Sequence, residues 1–226
     1  MSTAVSGHAV APVPEPVARV GELMSTYGHT WALCGGWAVD AWLGRETREH
    51  ADLDITVFQD DQRALFEHLR GGWDLIGHDP NVAGNTSEPW DGRRLDIPGH
   101  IHGRVRDASS NLPYRLDEPA QQGFDLDIQI CERAGGDWVF SREPRITLAM
   151  DGCVRESGWG LPTLAAEAVL LYKSGAVRSG DDLGFLRRRD KLDFLALLPH
   201  LTDEQRDWLR KAISLVGHPW LSQLSA

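Results

Sequence analysis

The first clear helical period runs from Pro16 to Tyr27, where Val17, Val20, Leu23 and Met24 share one face and Gly28 follows as a stop. Thr30 to Cys34 is short, apolar and β-capable. It runs into Gly35-Gly36 and then Trp37 to Leu43, a pattern that predicts a strand, a tight turn and a helix. A polar loop from Gly44 to His50 leads to Asp52–Phe58, which alternates: Leu53, Ile55 and Val57 fall on one face, Asp52, Asp54 and Thr56 on the other. The period predicts a half-buried strand carrying two carboxylates. A helix capped by Asp60 or Asp61 then reaches Leu69, Gly71-Gly72 closes it, and a strand follows around Trp73 to Ile76.

Between about 78 and 122, Gly, Pro, Asn and Asp dominate, and only Arg94–Ile97 and Ile101–Val105 look β-like. Phe124 to Cys131 alternates again, so Asp125, Asp127 and Gln129 share a face, and Gly135-Gly136-Asp137 predicts the turn of a hairpin returning through Trp138, Val139 and Phe140. From Thr163 onward the pattern is helical: Leu164–Lys173, Asp190–Leu198 and Thr202–Ile213, the last opened by the capping-box spacing of Thr202 and Gln205. The organisation expected is an unpacked, Ala/Ser/Pro-rich arm over 1–14, an α+β (α/β-like) domain over 15–160 and a helical C-terminal domain over 161–226.

Composition narrows the partners. A chain of 226 residues with 42% hydrophobic content can bury one large core or two small ones. The net charge of -10, from 33 acidic against 23 basic residues, repels nucleic acid and suits a cationic or neutral small molecule. Cys34, Cys131 and Cys153 are far apart and odd in number, so they read as buried small apolar residues rather than a disulfide framework or thiolate metal site. The start lacks a positive n-region, and no run approaches the ~20 apolar residues of a membrane span, so a cytoplasmic protein without a membrane partner is expected. The tryptophans are expected in the core or in pocket walls. His78, His100 and His102 lack a fourth ligand at zinc spacing and read as scattered loop histidines.

Two acids separated by one apolar residue on a strand project together and suit Mg²⁺, which takes hard oxygen ligands. A glycine pair at a strand-to-helix turn lets a phosphate approach backbone N–H groups at a helix N-terminus. A hydroxyl attacking a phosphate held there needs a further carboxylate as base, and Asp125 and Asp127 are equal candidates by periodicity.

Taken together, Gly35-Gly36-Trp37, Asp40, Thr47-Arg48, His50 and Asp52-Leu53-Asp54 resemble the aminoglycoside adenylyltransferase and lincosamide nucleotidyltransferase group of the DNA polymerase β-type superfamily. The resemblance implies a nucleotidyltransferase core with a mixed sheet flanked by helices, followed by a helical lobe. It assigns Mg²⁺ to Asp52, Asp54 and Asp127, with Asp127 as general base and Asp125 as fallback. It assigns the nucleotide to Gly35, Gly36, Trp37, Arg48 and His50. A weaker similarity over Leu161–Lys173 and Arg189–Phe194 would bring Lys173 and Lys191 to the phosphates. On the residues alone, His50 reads as structural and Asp40 as facing the turn or a neighbouring loop. The activity implied is transfer of a nucleoside monophosphate, AMP from ATP, to a hydroxyl of a small, cationic, aminoglycoside- or lincosamide-like acceptor, with pyrophosphate released. Rival expectations are transfer to a metabolic alcohol or a protein side chain, and a non-catalytic, antitoxin-like protein of the same fold.

Overall fold

The computed structural model describes residues 11–50, 52–79, 88–106, 125–175, 188–217 and 221–224. In chain order these form α1 (Glu15–Met24), β1 (Trp31–Leu33), α2 (Gly35–Leu43), β2 (Leu53–Phe58), α3 (Gln62–Leu69), β3 (Trp73–His78), β4 (Glu88–Pro89), β5 (His100–Val105), β6 (Asp125–Ala134), β7 (Asp137–Val139) and β8 (Thr147–Ala149). They are followed by α4 (Met150–Cys153), β9 (Val154–Glu156), β10 (Pro162–Leu164), α5 (Ala166–Lys173), α6 (Arg188–Leu197), α7 (Asp203–Val216) and α8 (Leu221–Leu224).

The sheet runs β4-β3-β5-β6-β2-β1-β10-β9, with β7 on the far end of β6 and β8 on β7. Two pairings are parallel, β2 with β6 and β1 with β10, and the others are antiparallel, so the sheet is mixed as expected. Alternation along β2 and β6 sorts the core onto the two faces. Leu53, Ile55, Val57, Leu126, Ile128 and Ile130 pack with α1 and α3 through Val17, Val20, Leu65 and Leu69. Phe58 and Cys131 point the other way, into a cluster with Ala38 and Val39 of α2, Leu170 of α5, Phe194 of α6 and Ile213 of α7. Among the described residues, these helices pack on the end of that second face that carries Phe58 and Cys131. Asp54 and Asp127 lie four residues before Phe58 and Cys131 on the same strands and the same face.

Several expectations change. Strand β2 is more than half-buried, because Thr56 is 2% exposed and its hydroxyl donates to the Gln129 carbonyl at 3.1 Å. The parallel neighbour and the helical layer cover the face that alternation assigned to solvent. Arg94–Ile97 is not a strand. It is held by Gln62, whose side chain donates to the Leu95 carbonyl and accepts from the Leu95 amide, both at 2.9 Å. Helix α2 begins at Gly35 itself rather than at Trp37. Residues 1–10 of the expected arm lie outside the described residues, but Ala11 donates its amide to the Gly44 carbonyl at 2.9 Å and Val13 packs on the core, so 11–14 are tied down. The sheet takes in β10, so the helical part begins at α5.

All three cysteines are free and buried. The capping box at Thr202 and Gln205 forms, and the Gln205 amide also donates to Glu167 at 2.8 Å, fixing α7 on α5. Among the described residues no helix is long and apolar enough to cross a membrane.

Phe194 is fully buried where α6 meets the sheet-covering cluster. Truncation by Phe194→Ala is expected to cost about 3–5 kcal/mol. The check is a lower urea midpoint at unchanged slope.

Candidate active site

The site is assembled by register. In the parallel pairing of β2 with β6, Asp54 lies directly beside Asp127, with Leu53 beside Leu126 and Ile55 beside Ile128. Asp127 stands abreast of Asp54, whereas Asp125 pairs by register with Arg104 at the start of β6. Asp52, just ahead of β2, is exposed and close enough that its charge acts on both inner carboxylates.

Burial pushes the Asp54 pKa up to about 7, with further upward contributions from Asp127 and Asp52 and opposing ones from Lys173 and Arg189. Burial and the Asp52 charge push Asp127 up to about 6. Like charges held together away from water favour protonation or a bound cation. The Asp127 Oδ1 is buried and has no hydrogen-bond partner among the described residues. Two neighbouring carboxylates under the charge of a third, one of them with an unsatisfied buried oxygen, offer the hard oxygen donors that a cation such as Mg²⁺ takes.

The glycine pair is required by close approach. Gly35 has φ of 64°, and a Cβ there would fall 1.9 Å from Asp54 Oδ2. A Cβ on Gly36 would fall 2.4 Å from an Arg48 nitrogen and 2.5 Å from His50 Nδ1. The first turn of α2 is thus pressed against Asp54 on one side and the 44–50 loop on the other.

That loop is anchored by polar contacts. Asp40, fully buried in α2, accepts from the Thr47 hydroxyl and from His50 Nε2, the latter at 2.6 Å. The His50 ring also stacks on Trp37 with centroids 4.1 Å apart. Asp40 therefore faces the loop, as its place on the helix suggested. Arg48 donates through Nε and Nη2 to the two oxygens of Asp193 on α6, each at 2.9 Å. The same carboxylate takes Lys173 Nζ at 2.6 Å. Burial raises the Asp193 pKa, but the Arg48 fork and Lys173 outweigh it and leave the group below its ordinary value.

The structure thus places the expected residues in three groups. Gly35, Asp54 and Asp127 meet, with Asp52 and Lys173 within electrostatic reach. Trp37, Arg48 and His50 form the support behind them, engaged with one another, with Asp40 and with Asp193. Lys191 sits on the exposed side of α6, and it is Arg189 from that helix whose charge acts on Asp54. Sequence reasoning missed Asp193, although Asp190 and Asp193 at helical i, i+3 spacing after a run of arginines form a visible acidic face. His78, His100 and His102, read as loop histidines, lie instead on β3 and β5 and cluster together. Antiparallel register joins them across a long sequence gap.

Three solved structures share this architecture. A lincomycin-bound lincosamide antibiotic adenylyltransferase, LnuA, is 18% identical, covering 83% of this chain and 97% of its own, with a TM-score of 0.50. The solution structure of the antibiotic-resistance factor ANT(2'')-Ia is 17% identical, covering 88% of this chain and 89% of its own, with a TM-score of 0.54. A crystal structure of ANT(2'')-Ia in complex with adenylyl-2''-tobramycin is 16% identical, covering 88% and 95%, with a TM-score of 0.51. The fold is that of a nucleotidyltransferase. Residues 16–73 also match a family model described as aminoglycoside-2''-adenylyltransferase, a stretch that runs from α1 to the first residue of β3 and includes Gly35, Gly36, Asp52 and Asp54. A comparison with curated proteins finds no matching sequence.

In this nucleotidyltransferase fold the inner carboxylates carry a stability cost with a definite sign. Their folded pKa values lie above the ordinary 3.8, so between about pH 4 and 7 the folded state holds protons that the unfolded chain has released. Stability from this source is complete below that window and is lost as pH rises through it. In chelator near pH 8, Asp54→Asn is expected to be more stable than the parent by on the order of 1–3 kcal/mol, with the gap closing near pH 4. Urea unfolding at both pH values checks this, and equal stabilities near pH 8 would show that Asp54 imposes no such cost.

Proposed function

We propose that this chain transfers a nucleoside monophosphate, AMP from ATP, to a hydroxyl of a small-molecule acceptor and releases pyrophosphate. The observation that carries the reading is the Asp54–Asp127 pair, abreast on parallel strands and against Gly35 at the start of α2. Asp52, Asp54 and Asp127 would hold Mg²⁺, which when bound neutralises the triphosphate and the charge developing on the leaving pyrophosphate.

The chain's own groups supply the rest. The amides in the first turn of α2 are oriented for an anion, and Gly35 and Gly36 bring no side chains of their own to its first two positions. Lys173 and Arg189 bring positive charge toward Asp54, where phosphate oxygens would gather. Arg48 and Lys173, both fixed on Asp193, lock α5, α6 and the loop ahead of β2 into one frame, so these groups are positioned before substrate arrives. Asp127 takes the proton of the acceptor hydroxyl as the new phosphorus–oxygen bond forms and the bond to pyrophosphate breaks. In the metal-free chain, burial and the Asp52 charge raise the proton affinity of Asp127.

For the acceptor, two facts support an antibiotic of aminoglycoside or lincosamide type. Fold relatives were solved with lincomycin and with adenylyl-2''-tobramycin, and the net charge of -10 favours a cationic molecule.

Incubation with Mg-ATP and a panel of aminoglycosides and lincosamides is expected to release pyrophosphate and add one adenylyl group to at least one acceptor, read by mass spectrometry. No product on any of them would remove the antibiotic assignment. On the acceptor that reacts, Asp127→Asn is expected to lower kcat by roughly 10²–10⁴-fold. Asp54→Asn should lower it at least as much. Unchanged kcat in either variant would take that carboxylate out of the mechanism.

A further inference from the structure

The sheet face that carries Asp54 and Asp127 continues across β5 to β3, and what it carries there is nitrogen. His100 pairs directly with His78 on β3 and with Gln129 on β6, while His102 pairs with Asp127. Because side chains alternate along a strand, His78, His100, His102, Asp127 and Asp54 all project from one face. The His78 and His100 rings stack with centroids 4.3 Å apart and planes within 10°. The His102 ring stands nearly perpendicular to both, with centroids 5.1 Å from each. One ring nitrogen from each histidine lies within 4.8 Å of the other two.

We propose that His78, His100 and His102 bind a divalent transition-metal ion of the zinc class, at a second site beside the carboxylates. Three imidazoles without a thiolate suit Zn²⁺, Co²⁺, Ni²⁺ or Cu²⁺, whereas Mg²⁺ prefers oxygen. A tetrahedral ion with metal–nitrogen bonds of about 2.0–2.1 Å needs its ligand nitrogens roughly 3.3 Å apart. The three nitrogens already lie within 4.8 Å of one another, and the β3–β5 ladder holds His78 and His100 directly opposite, so the remaining approach would fall to the side chains. Three histidines leave a coordination position open for water or another ligand. His102 Nδ1 is 3.8 Å from Asp127 Oδ1, so a carboxylate stands where an outer partner of a metal-bound histidine is commonly found. The two sites thus differ in hardness and share an edge at His102 and Asp127. This inference does not depend on the proposed reaction.

The test uses the full chain without a polyhistidine tag, stripped with chelator and titrated with Co²⁺ in excess Mg²⁺. One equivalent is expected to bind and give a visible d–d spectrum of nitrogen-ligated cobalt. Binding should persist in Asp54→Asn and weaken by at least about 100-fold in His100→Asn and in His102→Asn, with far-ultraviolet circular dichroism confirming their fold. Equal affinity in the parent and both histidine variants overturns the proposal, as does binding lost in Asp54→Asn but kept in the histidine variants. X-ray absorption on the zinc-loaded parent needs no variant. Three imidazoles in the first coordination sphere support the site; one or none overturns it.

Discussion

Everything at this site follows from the side-by-side placement of two carboxylates on adjacent parallel strands. Asp54 and Asp127 are brought abreast by the β2–β6 register, mostly out of water, and the Asp52 charge presses on both. Such an arrangement costs free energy in the bare chain, since each group's charged form is opposed by burial and by its neighbours. It persists because strong terms elsewhere impose it. Leu53, Ile55, Leu126 and Ile128 are buried on the opposite face of the same two strands, and a one-residue slip would exchange them with the acids. The apolar face therefore sets the position of the charged one.

Holding the acids at the right depth falls to a second set of contacts. The motif residues between the glycine pair and β2 support the site from behind. Thr47 and His50 satisfy the buried Asp40, His50 lies flat on Trp37, and Arg48 reaches Asp193 on α6. Asp40 and Asp193 are buried, so removing His50 or Arg48 leaves a buried carboxylate short of a partner. Gly36 belongs to the same device, because any side chain there would displace both Arg48 and His50. Polar residues at fixed spacing before the pair of acids thus brace the turn and loop that flank them. Positive charge reaches Asp54 from Lys173 and Arg189, on helices far away in sequence.

Much of the scaffold was legible in the residues, for a physical reason: alternation and helical period report which side of one element is buried. They located β2, β6, the β6–β7 hairpin, α1 and α7, and they put Asp54 and Asp127 on the polar sides of their strands. They are blind to pairing. Asp125 and Asp127 are indistinguishable by period, and only the register, with Leu126 beside Leu53, shows which of them stands abreast of Asp54. Thr56 looked solvated because alternation cannot know that a helical layer covers that end of the sheet. Arg94–Ile97 reads as β-like from its apolar Leu95 and Ile97, yet Gln62 supplies Leu95 with the backbone partners a neighbouring strand would have supplied. Asp193 and the three histidines were missed for the same reason, since ion pairs and cross-strand neighbours depend on contacts between distant segments.

The histidines also change how the sheet face is understood. Seen from β2 alone it is an acidic edge; seen across four strands it grades from oxygen donors at Asp54 and Asp127 to nitrogen donors at His102, His100 and His78. A cation responds to that gradient by hardness, so the two ends need not compete for the same ion. The junction is His102 with Asp127, 3.8 Å apart across the β5–β6 ladder. Charge placed on the histidines would be felt first by Asp127, and a cation there would favour its ionised form. The two ends of the face are therefore electrostatically linked through the one carboxylate that the proposed chemistry uses as its base.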